Sequence, residues 1–110
     1  MNAIFDLKRS ADQFLFNLKA AGNSEILLTS ERYTEKANAI GGIESIRQNA
    51  PIDERYDKRV SVAGEPYFVL KARNGEIIAT SEMYASTSAR DKGINAVKHH
   101  APEATLRDRA

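Results

Sequence analysis

Few residues in this chain are suited to acid-base or metal chemistry. Histidine, whose pKa lies near neutrality, occurs only at His99 and His100. Adjacent residues near a helix end point in different directions, so this pair cannot hold a metal as two histidines four residues apart would. The 110 residues include no cysteine, which excludes thiolate metal sites, disulfide scaffolds and cysteine nucleophiles. We therefore predict no catalytic residue, no metal site and no cofactor.

The string Thr-Ser-Glu-x-Tyr is the most specific local signature, and it occurs twice, at residues 29–33 and 80–84. Two related copies could present paired hydroxyl groups to a polar ligand. The same residues could instead end a strand, bond the following turn and anchor a tyrosine ring, which is the interpretation we favour. As a ligand-binding hypothesis we retain six residues of the strings and neighbouring strands: Lys19, Ser30, Tyr33, Lys71, Ser81 and Tyr84.

Nucleic-acid binding is an alternative hypothesis, because small sheets with aromatic and basic residues can stack bases and hold phosphates. Strand alternation, however, puts Phe16 and Phe68 on the face opposite Lys19 and Lys71, where the core should lie. The formal net charge is only +1, with residues 58–110 more basic than residues 1–57. This charge is weak for a phosphate-binding surface.

An internal repeat organises the elements that must position these residues. Residues 25–51 match residues 76–102 with 10 identities in 27 positions and no gap. Phe16 to Ala20 also match Phe68 to Ala72, at an offset one residue larger because the first copy has a longer loop. The repeat predicts one domain over residues 1–110, built from two units at about 1–57 and 58–110.

Each unit is predicted to begin with strands. Alternating apolar residues indicate strands at 14–20 and 68–72, and β-rich segments at 25–30 and 76–81 return antiparallel to them. Asn74-Gly75 predicts a tight type I′ hairpin turn. A further strand is expected at 4–8, with a weaker counterpart near 60–62, and short polar edge strands are expected at 54–60 and 104–109.

A helix of about 15 residues is predicted after each tyrosine, because apolar residues there follow a 3.6-residue period. Thr34 or Ser86 could cap these helices, and Ala-Pro at 50–51 and 101–102 ends them. Glycine within a helix costs about 1 kcal/mol relative to alanine. The repeated Gly42 and Gly93 therefore predict that the helix backbone approaches the sheet closely.

The motifs F-x-L-K-A, N-G-E-I-I-A-T-S-E-x-Y and G-I-x-x-V-K, with the Ala-Pro helix stop, together resemble the YegP-like family of small bacterial proteins of unknown function. The resemblance spans nearly the whole chain and departs in the longer turn at residues 22–24. It implies an α+β fold in which two β(3)-α-β units form one sheet with the last strand of each unit exchanged. It implies no activity, substrate or catalytic residue. The positions that match are Lys71, Ala72, Asn74, Gly75, Ser81, Glu82, Tyr84, Gly93, Ile94 and Val97.

The repeat and the composition give the overall expectation. A unit of about 50 residues buries too little apolar surface alone, so we predict one antiparallel sheet with both helices on one face and one cooperative unfolding transition. Hydrophobic residues make up 42% of the chain and no apolar run is long enough to span a bilayer. We expect a monomeric, cytoplasmic, non-enzymatic domain that binds a protein or small polar ligand, with nucleic acid as the alternative and no membrane partner.

Overall fold

The computed structural model describes residues 2–110, which form one seven-stranded sheet and two α-helices. The strand order is β4-β5-β6-β3-β2-β1-β7. In chain order the elements are β1 (Ile4–Ser10), β2 (Gln13–Lys19), β3 (Ile26–Ser30), α1 (Lys36–Asn49), β4 (Tyr56–Val60), β5 (Pro66–Lys71), β6 (Ile77–Thr80), α2 (Thr87–His100) and β7 (Thr105–Asp108). Neither helix of this part of the chain has the length and apolar character needed to cross a membrane.

The last strand of each repeat lies beside a strand of the other repeat. β4 follows α1 but pairs with β5, and β7 follows α2 but pairs with β1. The predicted α+β architecture with exchanged strands is therefore confirmed. The sheet is mixed rather than wholly antiparallel, because β7 runs parallel to β1 while the other neighbouring strands are antiparallel.

β4 has two structural roles. It ends the first repeat, and it also stands beside β5 as β1 stands beside β2. The separate strand expected near residues 60–62 is therefore absent from the described chain, where β4 ends at Val60 and Ser61 begins a turn. In that turn the Ser61 N–H donates to the Glu65 carbonyl at 2.8 Å. Both strands expected at the edges, β4 and β7, do lie there.

The core lies between the sheet and the two helices, which pack on the same face. Phe5, Phe16 and Phe68 are fully buried there, together with Ile43 and Ile46 of α1 and Ile94 and Val97 of α2. Because the strands of both repeats and both helices contribute to one buried cluster, neither repeat has a separate interior. This arrangement follows from the alternating strand pattern and the 3.6-residue helix pattern, which both direct their apolar residues inward.

The hairpin between β5 and β6 differs from the predicted type I′ turn. Only Gly75 has a positive φ, of 88°, and its N–H donates to the Ala72 carbonyl at 2.9 Å. This is a type I turn followed by a left-handed residue, the usual geometry of a three-residue loop. The Asn74 side chain accepts from the Glu76 N–H at 3.0 Å and so stabilises the turn instead of adopting a left-handed conformation itself.

The helices begin by different means. The Ser86 hydroxyl accepts from the Ala89 N–H at 3.0 Å and caps α2, as predicted. Thr34 does not cap α1, which starts one residue later than a Thr34 cap requires, with Glu35 in the cap position and no side-chain cap bond. Both helices end immediately before Ala-Pro.

Candidate binding surface

The two serines of the repeated string bond the backbone. The Ser30 hydroxyl accepts from the Phe16 N–H at 2.9 Å and donates to the Glu31 carbonyl at 2.7 Å. Ser81 makes the equivalent bonds to Phe68 and Glu82, at 3.0 and 2.8 Å. Both serines are 6% exposed. Each hydroxyl oxygen accepts from the neighbouring strand and each hydroxyl proton bonds the carbonyl of the next residue, so these contacts support the structural interpretation.

The two tyrosines of the string pack between a phenylalanine and a helix glycine. Tyr33 stacks on Phe16 with centroids 6.4 Å apart, and Tyr84 stacks on Phe68 at 6.3 Å. A Cβ atom added at Gly93 would lie 2.7 Å from Tyr84 Cζ and closer still to its hydroxyl. The close approach predicted from the repeated glycines therefore exists, and the tyrosine ring is what the helix approaches. Burial raises the pKa of both tyrosines, with nearby glutamates adding to the effect.

The lysines of the predicted set lie on the other face of the sheet, which carries no helix. We call it the open face. Lys19 Nζ lies 2.9 Å from Asp6 Oδ2, and Arg109 makes two further hydrogen bonds to the same carboxylate, both at 2.8 Å. Asp6 is only 1% exposed. Burial alone would raise the pKa of Asp6, but the bonds and charges of Arg109 and Lys19 outweigh it and lower that pKa to about 2.

A second carboxylate cluster occupies the equivalent place in the other half of the sheet. Asp57 accepts from Lys71 at 3.1 Å and from Arg59 at 3.0 Å. Hydrogen bonding by Lys71 has the largest effect on the pKa of Asp57 and lowers it; burial acts in the opposite direction, and hydrogen bonding by Arg59 adds to the lowering. Asp57 is paired with β5 at the register that Asp6 has with β2, so the two clusters are related by the repeat.

The strand register joins the two clusters by one row of side chains across the open face. Asn17 donates to the Thr29 hydroxyl at 2.9 Å near the middle of this row. From β4 to β7 the row consists of Asp57, Val69, Thr80, Thr29, Asn17, Asp6 and Arg107. Cations outnumber carboxylates on the strands of the open face and immediately after β7: Lys8, Lys19, Arg59, Lys71, Arg107 and Arg109 against Asp6 and Asp57.

The six residues of the ligand-binding hypothesis do not converge on one site. Lys19 and Lys71 lie on the open face, whereas the two serines and two tyrosines lie on the helix side. A ligand-binding role for any of them stays a prediction. Sequence reasoning missed Asp6 and Arg109, which are 103 positions apart along the chain. The strand exchange implied by the family resemblance was the one signal that could have brought them together.

Two clefts lie on the helix side. One, of about 260 Å³, includes Tyr84 and Gly93 among its lining residues. The other, of about 350 Å³, is lined by Asp53, Tyr56, Lys58, Asp91, Ile94, Asn95 and Lys98. Hydrogen bonding from Arg90 lowers the pKa of Asp91, and burial raises the pKa of Tyr56. Both shifts move the pKa away from neutrality, the opposite of what a general acid or base needs.

Comparison with known proteins agrees with the repeat. The family described as Domain of unknown function (DUF1508) matches residues 10–57 and again residues 61–108. The chain belongs to the DUF1508 family. The two matches follow the two repeats along the chain, and each includes one helix and one copy of the Thr-Ser-Glu-x-Tyr string.

DUF1508 relatives are similar over nearly their whole length. A UPF0339 protein of Bordetella pertussis is 54% identical over 98% of this chain and 96% of its own. The UPF0339 protein YegP of Escherichia coli K12 is 49% identical over 94% of both chains.

Two solution NMR structures share the fold. A Shewanella oneidensis UPF0339 protein has a TM-score of 0.90 at 50% identity, covering 98% of this chain and 92% of its own. The yegP protein of E. coli has a TM-score of 0.91 at 47% identity, covering 99% of this chain and 94% of its own. The relatives carry no enzyme description, and the function of this bacterial family is not known.

Proposed function

We propose that this protein is a non-enzymatic cytoplasmic binding domain whose open face contacts an acidic surface of a partner protein. The observation that carries the proposal is the excess of cations over carboxylates on that face. Two of the cations, Lys19 and Lys71, are those that the sequence singled out. Both are only partly buried, with 26% and 32% of their side chains exposed, so their ammonium groups remain within reach of a partner.

The spacing of the charges favours a protein over a small ligand. Three strand intervals separate β2, which carries Lys19, from β5, which carries Lys71. At about 4.8 Å per interval these strands are about 14 Å apart, and β1 and β4 are about 24 Å apart. A small anion could reach one cluster but not both. An extended acidic surface could contact both clusters and the row of polar side chains between them.

Nucleic acid is the second candidate, because phosphates would be attracted by the same cations. The position of the aromatic residues argues against base recognition. Phe16 and Phe68 are fully buried beneath the helices, so they cannot stack on bases. Tyr67, opposite Arg59 in the β4–β5 register, is the aromatic residue that the strands present on the open face within the described chain.

The test compares charge reversal on the two sides of the protein. The open-face variant is Lys8→Glu with Arg107→Glu, which leaves both carboxylate clusters unchanged. The matched control is Arg32→Glu with Lys92→Glu, two exposed residues outside the sheet. Each protein is immobilised and exposed to a bacterial cytosolic extract, and the retained proteins are identified at increasing salt.

The proposal predicts an acidic partner that wild type and control retain at low salt and that the open-face variant loses. Retention of the same partner by all three proteins would contradict it. A mobility-shift assay with single- and double-stranded DNA and RNA separates the second candidate. A salt-sensitive shift that the open-face variant abolishes would favour nucleic acid, and no shift at low salt would remove it.

A further inference from the structure

The two halves of the sheet differ by one strand. Counting outward from the central β3–β6 pair, one half contains β3, β2, β1 and β7, whereas the other contains β6, β5 and β4. β4 is the equivalent of β1, since Tyr56 packs on Phe68 at 5.8 Å as Phe5 packs on Phe16 at 5.9 Å. In the part of the chain that the structure describes, no strand takes beside β4 the place that β7 takes beside β1.

The contacts of β7 show how that place is filled in the first half. The Arg109 N–H donates to the Leu7 carbonyl at 2.8 Å, so the main chain of Leu7 faces β7. Arg47 of α1 lies over the Phe5 ring at 5.3 Å and donates to the carbonyl of Ala104, directly before β7, at 2.8 Å. An arginine on the helix thus fixes the start of the strand, and the backbone of β1 holds the rest.

The second half of the sheet has side chains at the equivalent positions but, within residues 2–110, no strand that corresponds to β7. Lys58 stands at the register position of Leu7, one residue after the Asp57 that matches Asp6, so its main chain faces away from β5. Lys98 stands at the position of Arg47 and lies over the Tyr56 ring at 5.8 Å. It pairs with the exposed Asp53. The 350 Å³ cleft lies between these groups, next to the unpaired edge of β4.

We propose that this edge and cleft bind an extended peptide segment of a partner protein, which adds an eighth strand parallel to β4. The chemistry of the segment follows from β7. Leu106 is level with Phe5, so an apolar residue is expected level with Tyr56. Asp108 is level with Leu7, whose equivalent is Lys58, so an acidic residue is expected two positions later. Opposite charges on adjacent strands stabilise such a pair.

The cleft has the charges to receive this segment. Lys58 is 54% exposed and its partner Asp91 is 48% exposed, at 3.3 Å, so an incoming carboxylate can replace that partner without uncovering a buried charge. Lys98 can transfer from Asp53 to a peptide carbonyl, as Arg47 bonds Ala104. The parallel pairing of β7 with β1 also indicates that the occupant is a separate segment rather than the β4 strand of a second copy. Two copies related by a twofold axis would pair their β4 edges antiparallel, whereas β7 runs parallel to β1.

The experiment titrates ¹⁵N-labelled full-length protein with a synthetic peptide that copies residues 104–110, Ala-Thr-Leu-Arg-Asp-Arg-Ala. Amide shifts are expected in β4 and in residues 91–98 of α2. Lys58→Pro removes the edge N–H at a position where an edge strand tolerates proline, and it should weaken binding at least tenfold. Lys58→Glu should weaken binding at least fivefold, and a peptide with lysine in place of its aspartate should restore it. Arg73→Glu, in the exposed β5–β6 turn, is the matched charge-reversal control and should bind as wild type does.

Several outcomes would overturn the proposal. These are no amide shifts at millimolar peptide, shifts confined to the open face, or equal binding by the wild type and a folded Lys58→Pro variant. Concentration-dependent shifts of β4 without peptide, with dimerisation in sedimentation, would assign the edge to a second copy instead. The assay for an open-face partner uses none of the Lys58 variants, so the failure of one proposal leaves the other unaffected.

Discussion

Replacing Gly93 by alanine tests whether the repeated helix glycine and the repeated tyrosine form one packing unit. A helical glycine-to-alanine change ordinarily stabilises a protein by about 1 kcal/mol. At Gly93 the added Cβ would lie 2.7 Å from Tyr84 Cζ, too close for unrelaxed packing. A shift of the ring away from the new Cβ would disturb its stack on Phe68, which has centroids 6.3 Å apart and planes 9° apart. Overpacking of this kind costs about 1–3 kcal/mol.

Because the helix-propensity gain offsets part of the overpacking cost, we expect Gly93→Ala to lower the free energy of unfolding by up to about 2 kcal/mol, measured by guanidinium and thermal unfolding. For a domain of this size, each kcal/mol shifts Tm by about 4–8 °C. Gly41→Ala is the matched control, because its Cβ would meet no atom within 4 Å, and it should stabilise the protein by about 0.5–1 kcal/mol.

A double-mutant cycle identifies the contact. Tyr84→Leu removes the atoms that the new Cβ meets, so the double variant with Gly93→Ala should be more stable than the sum of the single effects, by about 1 kcal/mol. Stabilisation by Gly93→Ala equal to that by Gly41→Ala would refute the reasoning, and so would strict additivity with Tyr84→Leu.

Three further predictions concern stability. Because the folded pKa of Asp6 is about 2, below its ordinary value of 3.8, the ionised carboxylate contributes about 2 kcal/mol near neutral pH. This contribution should be lost as the pH falls from about 5 to 2, and the stability difference between wild type and Asp6→Asn should shrink over that interval in urea unfolding; a pH-independent difference would contradict it. Ser81→Ala leaves the buried Phe68 N–H without its acceptor and should cost about 1–3 kcal/mol, whereas the exposed Ser88→Ala should cost less than about 0.5 kcal/mol; equal effects would contradict the structural role. Since both repeats share one core, far-ultraviolet circular dichroism and tyrosine fluorescence should give one coincident unfolding transition, and two separate transitions would contradict this.

The fold was largely predictable because its determinants are local and occur twice. The strand period, the helix period and the Ala-Pro stops each place an element within a few residues of its observed bounds. The predicted type I′ turn at Asn74-Gly75 was wrong because this dipeptide is compatible with two loop lengths. The observed loop has three residues, since Arg73 is part of it. The prediction that Thr34 caps α1 was wrong because the cap position of Ser86 in α2 corresponds to Glu35 in α1.

The candidate surface was less predictable because its groups are distant along the chain. Nothing near Asp6 in sequence indicates that Arg109 will bond its carboxylate, since that bond depends on β7 crossing to β1. The parallel direction of β7 also escaped prediction, as strand direction depends on which edge the strand reaches. Alternation did correctly separate Lys19 and Lys71 from the buried phenylalanines, because that choice of face depends on neighbouring residues alone.

Strand exchange makes the two repeats similar in sequence but different in what they leave exposed. Asp6 has Arg109, immediately after β7, as its second cation, whereas Asp57 takes Arg59 from its own strand. The first half therefore uses the added strand to neutralise its buried carboxylate, and the second half neutralises its more exposed carboxylate without one. A carboxylate that needs no added strand lets β4 remain folded while its outer edge is unpaired. For this reason the second half of the sheet can leave open the place that β7 fills in the first half, and this place beside β4 is the one we propose for another chain.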